Sequence, residues 1–242
     1  MEGNNKIRLD LKLLNIGLAK TRSQANNLIR LSKVKVNNKV INKSSYLVEN
    51  KAIIVVDEDT YVSRAAYKLE SIFSEFKINF KNKKILDVGS STGGFSEFSL
   101  KKGAAEIIAV EKGSEQMDKK LRQDSRIKLF EKTDILDINN LEFMPDIVLV
   151  DLSFTSIREV LEHILSLVNR DTYLIVMLKP QFETKLENYK HKGVIKNQKI
   201  RRLIINNFEE WVKKYCLIMN KADSKIKGSK GNIERFYLLK KI

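Results

Sequence analysis

The stretch Lys84-Ile-Leu-Asp-Val-Gly-Ser-Ser-Thr-Gly-Gly-Phe95 combines a short apolar strand, a glycine-rich turn and the start of a helix. The apolar residues within Ile85–Val88 are typical of a central strand of a parallel sheet, which is buried on both faces. Gly89, Gly93 and Gly94 allow the backbone to turn sharply and to approach a ligand closely. A helix that begins at the last of these glycines would direct its free N–H groups at that ligand. The stretch therefore predicts a ligand site at the end of a buried strand.

Downstream of this stretch the pattern alternates between strands and helices, which predicts an α/β fold with a doubly wound, mostly parallel sheet. The predicted strands are Lys84–Val88, Glu106–Val110, Ile127–Phe130, Asp146–Val150, Thr172–Leu178, Cys216–Lys221 and Arg235–Lys240. The predicted helices between them are Phe95–Lys102, Glu115–Leu121, Ser156–Val168 and Asn197–Lys214. Right-handed crossovers would then place the glycine-rich turn at the carboxyl edge of the sheet, where such sheets bind ligands.

The first 60 or so residues predict a separate, small α+β unit. A short apolar helix ends near Gly17, and Thr21 or Ser23 could cap a second helix. The alternating runs that follow predict a hairpin with Asn37-Asn38 at its turn, and Ala52–Val56 predicts a further strand. We expect one domain at residues 1–59, a linker at 60–64 and a larger domain at 65–242.

This first unit resembles the S4 RNA-binding module, in the segments Arg8–Asp10, Gly17–Ala25 and Val34–Asn37. The resemblance implies contacts with phosphates and 2′-hydroxyls of folded RNA, a mode of recognition driven by shape. The residues implied in RNA binding are Arg8, Lys20, Arg22, Ser23, Gln24, Arg30, Lys33, Lys35 and, at the start of the larger domain, Arg64.

The composition favours a polyanionic partner. The chain has 242 residues, with 45 basic and 30 acidic side chains and a formal charge of +15, which suits nucleic acid or an anionic membrane surface. The abundance of lysine throughout the chain is the alternative explanation. A single cysteine, Cys216, excludes disulfides within the chain and favours a reducing cytoplasm. His163 and His191 are isolated, so no metal site is expected.

Acidic residues and lysines follow the predicted strands at the same edge. Glu111 ends the second strand, where a carboxylate can accept two hydrogen bonds from a ribose diol. Asp134 follows the third strand and Asp151 the fourth. Lys179 follows a very apolar strand and precedes Pro180, so its ammonium group should lie near Asp151. Each residue alone is explained more simply as a cap or a solvated charge, but together they predict a site.

The motif Asp87–Phe95 resembles the first motif of S-adenosylmethionine-dependent methyltransferases, which implies a Rossmann-like, seven-stranded class I methyltransferase sheet. Further segments resemble, in order, the FtsJ-type ribose methyltransferases: Arg64–Leu69, Val150–Phe154, Leu178–Glu183, Lys192–Val194 and Gly228–Glu234. With the S4-like unit in front, the whole chain resembles the TlyA family, the so-called haemolysin A proteins, which methylate ribosomal RNA on the ribose 2′-oxygen.

This resemblance implies a catalytic tetrad of Lys68, Asp151, Lys179 and Glu234. It implies S-adenosyl-L-methionine as the cofactor, bound by Asp87, Gly89, Ser90, Ser91, Gly93, Gly94, Phe95, Glu111, Lys112, Asp134, Ile135 and Asp151. It implies a cytidine of large-subunit ribosomal RNA as the target, with small-subunit RNA as a second target in some members. The short N-terminus and the end of the chain favour the large subunit alone, and no obligate protein partner is expected. Two departures from the family pattern are Ala65-Ala66, where a glycine pair is usual, and Glu111, where aspartate is commoner.

The tetrad suits methyl transfer to a ribose hydroxyl, because the 2′-oxygen is a poor nucleophile until it loses its proton. A second ammonium group and a dry pocket disfavour the charged form of Lys179, which predicts that it acts as the general base. Lys68 would position the 2′-oxygen, and Asp151 and Glu234 would orient the two amines. The target nucleotide would be swung out of its stack.

Two alternatives from other classes stay open at this point. A membrane-active haemolysin needs an amphipathic or spanning apolar segment, and the longest apolar strand, Tyr173–Leu178, is too short for that. A ribosome-assembly factor that binds RNA without catalysis would keep the fold but would not need the tetrad. Dye leakage from protein-free vesicles tests the first alternative, and a labelled-cofactor transfer assay tests the second.

Overall fold

The chain divides into two units, Met1–Arg64 and Ala65–Ile242, in a computed structural model that describes residues 6–57, 60–183, 193–228 and 230–242. Parts of the sequence prediction lie outside these residues, namely residues 1–5 and 58–59 of the first predicted domain, His191, Lys192 and Ser229. Each unit has a hydrophobic core of its own residues.

The first unit contains two short helices and two small antiparallel sheets. Its elements are β1 (Ile7–Arg8), α1 (Leu9–Asn15), α2 (Arg22–Arg30), β2 (Val34–Val36), β3 (Lys39–Val40), β4 (Leu47–Val48) and β5 (Ile54–Val56). β1 pairs with β4, and β2 lies between β3 and β5. The predicted helix pair, hairpin and last strand are present, whereas the pair β1–β4 was not predicted, because two-residue strands carry no periodic signal.

Local chemistry explains these elements. The Thr21 hydroxyl accepts a hydrogen bond from the Gln24 backbone N–H at 3.1 Å, so Thr21 rather than Ser23 caps α2. Asn37 and Asn38 both have positive φ values, 49° and 66°, as the tight turn of a two-residue hairpin requires. One face of α1 and α2 packs on β2 and forms the core of this unit, which includes Leu13 and Ile29.

The second unit begins within α3 (Arg64–Phe76) and continues as alternating strands and helices. The further elements are β6 (Lys84–Val88), α4 (Gly94–Lys101), β7 (Glu106–Glu111), α5 (Lys119–Arg122), β8 (Ile127–Glu131), β9 (Ile147–Val150), α6 (Ile157–Ser166), β10 (Tyr173–Leu178), α7 (Gln198–Val212), β11 (Cys216–Asp223) and β12 (Arg235–Lys241). Single turns of 3₁₀ helix follow β8 at Ile135–Asp137 and β10 at Pro180–Phe182.

The seven strands form one sheet in the order β11-β12-β10-β9-β6-β7-β8. The five strands from β10 to β8 are parallel, and β12 runs antiparallel between β10 and β11. The predicted fold class and all seven predicted strands are thus confirmed. The carboxyl ends of β6, β7, β9 and β10 meet at one edge, and the amino end of β12 reaches the same edge because Leu178 is paired with Arg235.

One predicted helix is wrong. Residues 115–118 are not helical, and α5 begins only at Lys119, where the Asp118 carboxylate accepts a hydrogen bond from the Lys120 backbone N–H at 3.0 Å. Glu115 has a φ of +56°, a left-handed conformation that no α-helix contains. The segment 113–116 is instead a turn that folds back over the end of β7.

Candidate functional site

The glycine-rich turn after β6 has a conformation that only small residues permit. Gly89 and Gly93 have φ values of +81° and +88°. A Cβ atom on Gly89 would lie 2.5 Å from the Asp151 carbonyl oxygen, and one on Gly93 would lie 2.5 Å from the Leu121 side chain. Since α4 starts directly after this turn, its first N–H groups face the carboxyl edge of the sheet, as the sequence predicted.

A cavity of about 370 Å³ opens between this turn and the ends of β6, β7 and β9. Seven of the predicted cofactor residues line it, namely Gly89, Ser91, Glu111, Lys112, Asp134, Ile135 and Asp151. The other five, Asp87, Ser90, Gly93, Gly94 and Phe95, belong to the strand, the turn and the first helical turn behind it. The Phe95 ring packs in the core, 6.2 Å from the ring of Phe236, so only its backbone can face a ligand.

The buried carboxyl group of Asp87 lies behind the turn and accepts a hydrogen bond from the Ser96 hydroxyl at 2.6 Å. Its second oxygen, Oδ1, has no hydrogen-bond partner among the residues that the structure describes. Burial raises the pKa of Asp87 to about 7, although the Ser96 hydrogen bond acts in the opposite direction. Asp87 therefore supports the turn from behind and titrates near neutral pH.

Glu111 connects the turn to the segment that follows β7. Its carboxylate accepts hydrogen bonds from the backbone N–H groups of Ser91 at 2.9 Å and Gly113 at 2.7 Å. The Gln116 side chain completes the arrangement, because its amide donates to Glu111 at 3.3 Å and its oxygen accepts from the Ser91 hydroxyl at 3.1 Å. Sequence reasoning missed Gln116, which lies in a turn where no periodic pattern marks it.

Asp134 and Lys112 form an ion pair of 2.6 Å on the opposite wall of the cavity. Burial opposes ionisation of Asp134, but the hydrogen bonds from Lys112 and from the Leu136 backbone N–H outweigh it and hold the pKa of Asp134 below its ordinary value. The same hydrogen bond raises the pKa of Lys112. This wall of the cavity thus carries an ionised carboxylate that can accept a hydrogen bond from a ligand.

The four residues of the predicted tetrad form two ion pairs at one edge of the sheet. The Lys179 Nζ atom lies 2.7 Å from Asp151 Oδ1 and donates a hydrogen bond to the Ser153 hydroxyl at 2.8 Å. The Lys68 Nζ atom donates to Glu234 Oε1 at 3.0 Å, and both of these side chains are buried. Within the described part of the chain, Glu234 Oε2 has no hydrogen-bond partner.

The sheet register explains why the two pairs meet. Leu178 and Arg235 are directly opposite in β10 and β12, so Lys179 and Glu234 are opposite in the next position. Adjacent strands are about 4.8 Å apart. The two lysines are therefore brought to the same edge, beside the cavity that Asp151 lines.

Three further residues at this edge were missed because their roles depend on tertiary contacts. Ser153 accepts the Lys179 hydrogen bond. Gly228 packs so closely on the Glu234 carboxylate that a Cβ atom would collide with Oε1. Glu183 is buried and accepts hydrogen bonds from the Ser156 hydroxyl and the Ile157 backbone N–H, both at 2.7 Å. Burial raises the pKa of Glu183, although these two donors oppose the shift.

Phe154 is an exposed aromatic residue that directly follows Ser153, the residue that contacts Lys179. Its side chain is 90% exposed, and its φ of +66° is unusual for a bulky residue. Its ring lies 5.1 Å from that of Phe182, which follows Lys179 and Pro180. The sequence pattern did not single out this aromatic pair.

In the first unit, the predicted RNA-binding side chains differ in their surroundings. Arg8 makes two hydrogen bonds of 2.9 Å to the buried carboxylate of Asp10, and Arg22 makes one of 3.1 Å. The Arg8 hydrogen bond is the main reason why the pKa of Asp10 falls to about 2. Lys33 pairs with Asp57 at 3.3 Å, and the Gln24 side chain accepts from the Lys20 backbone N–H. Ser23, Arg30 and Lys35 are exposed, and Arg64 is half-buried at the start of α3.

Neither a metal centre nor a spanning helix is found in residues 6–57, 60–183, 193–228 and 230–242. No group of three or more His, Cys, Asp or Glu side chains there could hold a metal ion. His163 contacts the Ile138 carbonyl oxygen at 2.9 Å. None of the helices there is both long enough and apolar enough to cross a bilayer.

Comparison with known proteins matches each unit to a family. The FtsJ-like methyltransferase model matches residues 61–241, and the S4 domain model matches residues 7–54. A relative named Hemolysin A, from Brachyspira hyodysenteriae, is 36% identical over 94% of this chain and 97% of its own length.

Two further relatives cover nearly the whole chain. The 16S/23S rRNA (cytidine-2′-O)-methyltransferase TlyA of Mycobacterium tuberculosis is 31% identical over 97% of this chain and 90% of its own length. A solved structure of a hemolysin-named protein from Streptococcus thermophilus has a TM-score of 0.74 and 26% identity, and the match covers 99% of this chain and 90% of that one.

Proposed function

Since the chain belongs to the FtsJ-like methyltransferase family, with an S4 domain in its first unit, we propose that it methylates the ribose 2′-oxygen of a cytidine in large-subunit ribosomal RNA. The observation that carries this proposal is the meeting of two lysine–carboxylate pairs beside the cavity behind the glycine-rich turn. The similarity to a relative named as an rRNA cytidine-2′-O-methyltransferase supports the choice of substrate.

The cavity supports S-adenosyl-L-methionine as the methyl donor. The backbone turns sharply at Gly89 and Gly93, where a Cβ atom would collide with neighbouring protein atoms, and α4 directs its first N–H groups towards the carboxyl edge of the sheet. Glu111 would accept hydrogen bonds from the ribose hydroxyls, Asp134 from the adenine amino group, and the remaining predicted turn residues would contact the rest of the cofactor. The bound cofactor supplies an electrophilic methyl group on a positively charged sulfur.

Lys179 is the proposed general base. Its Nζ atom is held by Asp151 and Ser153, so the lone pair of the neutral amine can be directed at a 2′-hydroxyl placed beside the cavity. The neutral form of the amine is the form that accepts the proton, and Lys68, held by Glu234 at the same edge, is the second amine of the site. Lys179 Nζ would take up the 2′-hydroxyl proton, and a bound S-adenosyl-L-methionine would supply the methyl group to the 2′-oxygen.

Lys68 is the proposed positioning and electrostatic partner. Its ammonium group is neutralised by Glu234, so it can donate a hydrogen bond to the 2′-oxygen without leaving an unpaired buried charge. Because correct alignment of oxygen, methyl group and sulfur is worth several orders of magnitude in rate, a fixed donor at this position contributes directly to catalysis.

Phe154 supports the view that the target base leaves its stack. Phe154 presents a large, exposed aromatic ring near Lys179, and such a ring can stack on an extruded nucleobase. This stacking would offset the free-energy cost of taking the nucleobase out of the RNA stack. We assign RNA recognition to the domain at residues 1–59, joined by a linker at 60–64 to the domain at 65–242. The predicted basic residues of α2 and β2 would contact phosphates there.

Methyl transfer to unmodified ribosomal subunits tests the proposal. We expect Lys179→Ala and Lys68→Ala each to lower kcat by roughly 100-fold or more, because general-base catalysis and alignment are both lost. Lys83→Ala is the matched control, since Lys83 forms a lysine–carboxylate pair with Asp146 at the opposite edge of the sheet. A near wild-type kcat in either tetrad variant would contradict the mechanism. Mapping of 2′-O-methyl groups in both subunits identifies the target.

A further inference from the structure

Two segments beside the Lys68–Glu234 pair form a surface that we name the basic lobe: a loop that runs into the first turn of α7, and a loop before β12. Its described residues are 193–202, 224–228 and 230–233. Asn232 joins the loops: its side-chain oxygen accepts from the Ile195 backbone N–H at 3.0 Å, and its amide donates to the Gly193 carbonyl at 2.8 Å. Asn232 is itself buried. Arg201 adds a third connection, to the Ile233 carbonyl oxygen at 3.3 Å.

The basic lobe carries a cluster of exposed cations, whereas its half-buried Arg201 is paired with the flanking Asp223 at 2.7 Å. Six of its side chains are exposed and cationic, namely Lys196, Lys199, Arg202, Lys225, Lys227 and Lys230. The two segments contain no Asp or Glu. Within the part of the chain that the structure describes, none of the six forms an ion pair. Other exposed lysines of the second unit do so repeatedly, as Lys83 does with Asp146 and Lys221 with Glu209.

The basic lobe is attached to the catalytic edge. Glu234 directly follows its second segment, and the Lys225 backbone N–H donates to the Ser71 hydroxyl at 3.3 Å. That hydroxyl donates in turn to the Lys68 carbonyl oxygen at 2.6 Å. The first segment continues into α7, which packs against the 3₁₀ turn after Lys179. The cations are thus fixed next to both lysines of the tetrad.

We propose that the basic lobe binds the phosphodiester backbone of the folded RNA around the target nucleotide. Buried hydrogen bonds that hold loops of like charge together give a site of fixed geometry, which suits a regularly spaced polyanion. The inference rests on the proposed function, because it places the RNA at the same edge as the tetrad. It adds to the S4 domain a second RNA contact, on the methyltransferase domain itself.

Two triple variants and a control of equal charge test the inference in the full-length protein. The variants are Lys196→Gln/Lys199→Gln/Arg202→Gln and Lys225→Gln/Lys227→Gln/Lys230→Gln. The control is Arg170→Gln/Lys213→Gln/Lys214→Gln, three exposed cations at the opposite edge of the sheet. The probe is unmodified ribosomal RNA folded in magnesium, with affinity measured at several salt concentrations. S-adenosylhomocysteine binding by calorimetry reports whether each variant keeps its fold.

We expect each lobe variant to lose roughly tenfold or more in RNA affinity and to lower the slope of log affinity against log salt by about 2 to 3. The control should match the wild type. Equal losses in control and lobe variants, or no loss in the lobe variants, would overturn the inference. Loss of binding to anionic vesicles with unchanged RNA affinity would also overturn it in favour of a membrane surface. If the wild type binds RNA through the lobe but transfers no methyl group, the proposed function fails separately.

Discussion

At the scale of single residues, Glu234 is a buried carboxylate whose two oxygens have different surroundings. One of its oxygens holds Lys68, and the other is buried without a hydrogen-bond partner among the described residues. Such a buried, unsatisfied oxygen costs free energy that a purely structural ion pair would be selected to avoid. The arrangement is consistent with a carboxylate kept for its effect on the neighbouring ammonium groups.

Gly228→Ala should disturb this carboxylate without removing any charge. The added Cβ atom would collide with Glu234 Oε1, so the Lys68 pair must shift. We expect kcat to fall roughly 10- to 100-fold, since small displacements at a reacting centre have effects of this size. Gly103→Ala is the control for general destabilisation, because its φ of +89° strains any side chain while its Cβ atom would touch only Lys81, which precedes β6. Equal kcat values in the two variants would show that Glu234 is not positioned by this contact.

The raised pKa of Asp87 predicts that the free energy of unfolding depends on pH. Its pKa is raised from the model-compound value of 3.8 to about 7, so the folded protein retains a proton that the unfolded chain loses. Its contribution to the free energy of unfolding is complete below about pH 4 and is lost as the pH rises through about 7. Asp87→Asn should therefore flatten the decline between pH 5 and pH 8, measured by urea denaturation. The control is the exposed residue variant Asp171→Asn, whose stability should decline with pH as in the wild type. If the free energy of unfolding of Asp87→Asn declines as steeply as that of the control, the expectation is wrong.

The placement of the four tetrad residues at one edge could be predicted from sequence, because each lies next to a strand end or in a recognisable motif, whereas their catalytic roles stay predictions. Ser153, Gln116 and Glu183 could not, since their partners are up to 27 residues away and join different loops. The burial of the Phe95 side chain could not be predicted either, because a glycine-rich turn does not determine the direction in which the following side chain packs.

At the scale of elements, Glu183 fixes the loop between β9 and α6 to the turn after β10. Its carboxylate accepts from Ser156 and from the first backbone N–H of α6, where a negative charge also stabilises the helix. The loop it holds contains Ser153, which contacts Lys179. The two strand ends that carry Asp151 and Lys179 are thereby connected through a third residue.

Glu183→Ala should loosen this loop. We expect kcat to fall roughly tenfold or more at saturating RNA, because Lys179 loses its fixed geometry, while S-adenosylhomocysteine affinity stays near the wild-type value. Glu183→Gln, which keeps one acceptor, should recover part of the rate. If both variants lose thermal stability but keep the wild-type kcat, Glu183 serves only as a helix cap.

Helix and strand predictions succeeded where an apolar run is bounded by clear turn residues, and one predicted helix began too early where a turn intervened. The seven strands are short apolar runs between polar turns, and the sequence shows them directly. The segment 115–118 has residues compatible with a helix, but the left-handed Glu115 and the Asp118 cap delay α5 until Lys119. Such a delay is set by contacts with Glu111 and the Gly93 turn, which single-sequence periodicity does not contain.

At the scale of the whole molecule, we expect the first unit to bind RNA and the second unit to bind the cofactor and transfer the methyl group. A chain that begins at Tyr61 keeps the core of the methyltransferase domain but lacks the S4 domain. We expect it to bind S-adenosylhomocysteine with wild-type affinity and to methylate RNA at a rate reduced roughly 100-fold or more, because the phosphate contacts of the first unit are gone. Wild-type methylation by the shortened chain would show that the methyltransferase domain recognises its target alone.

The position of β12 has a consequence for the folding of the newly synthesised chain. This strand inserts between β10 and β11, so it is paired on both sides by segments that precede it in the chain. Translation produces Glu234 166 residues after Lys68. A nascent chain that already contains both lysines therefore lacks the carboxylate partner of Lys68 until Glu234 has been made and β12 is inserted.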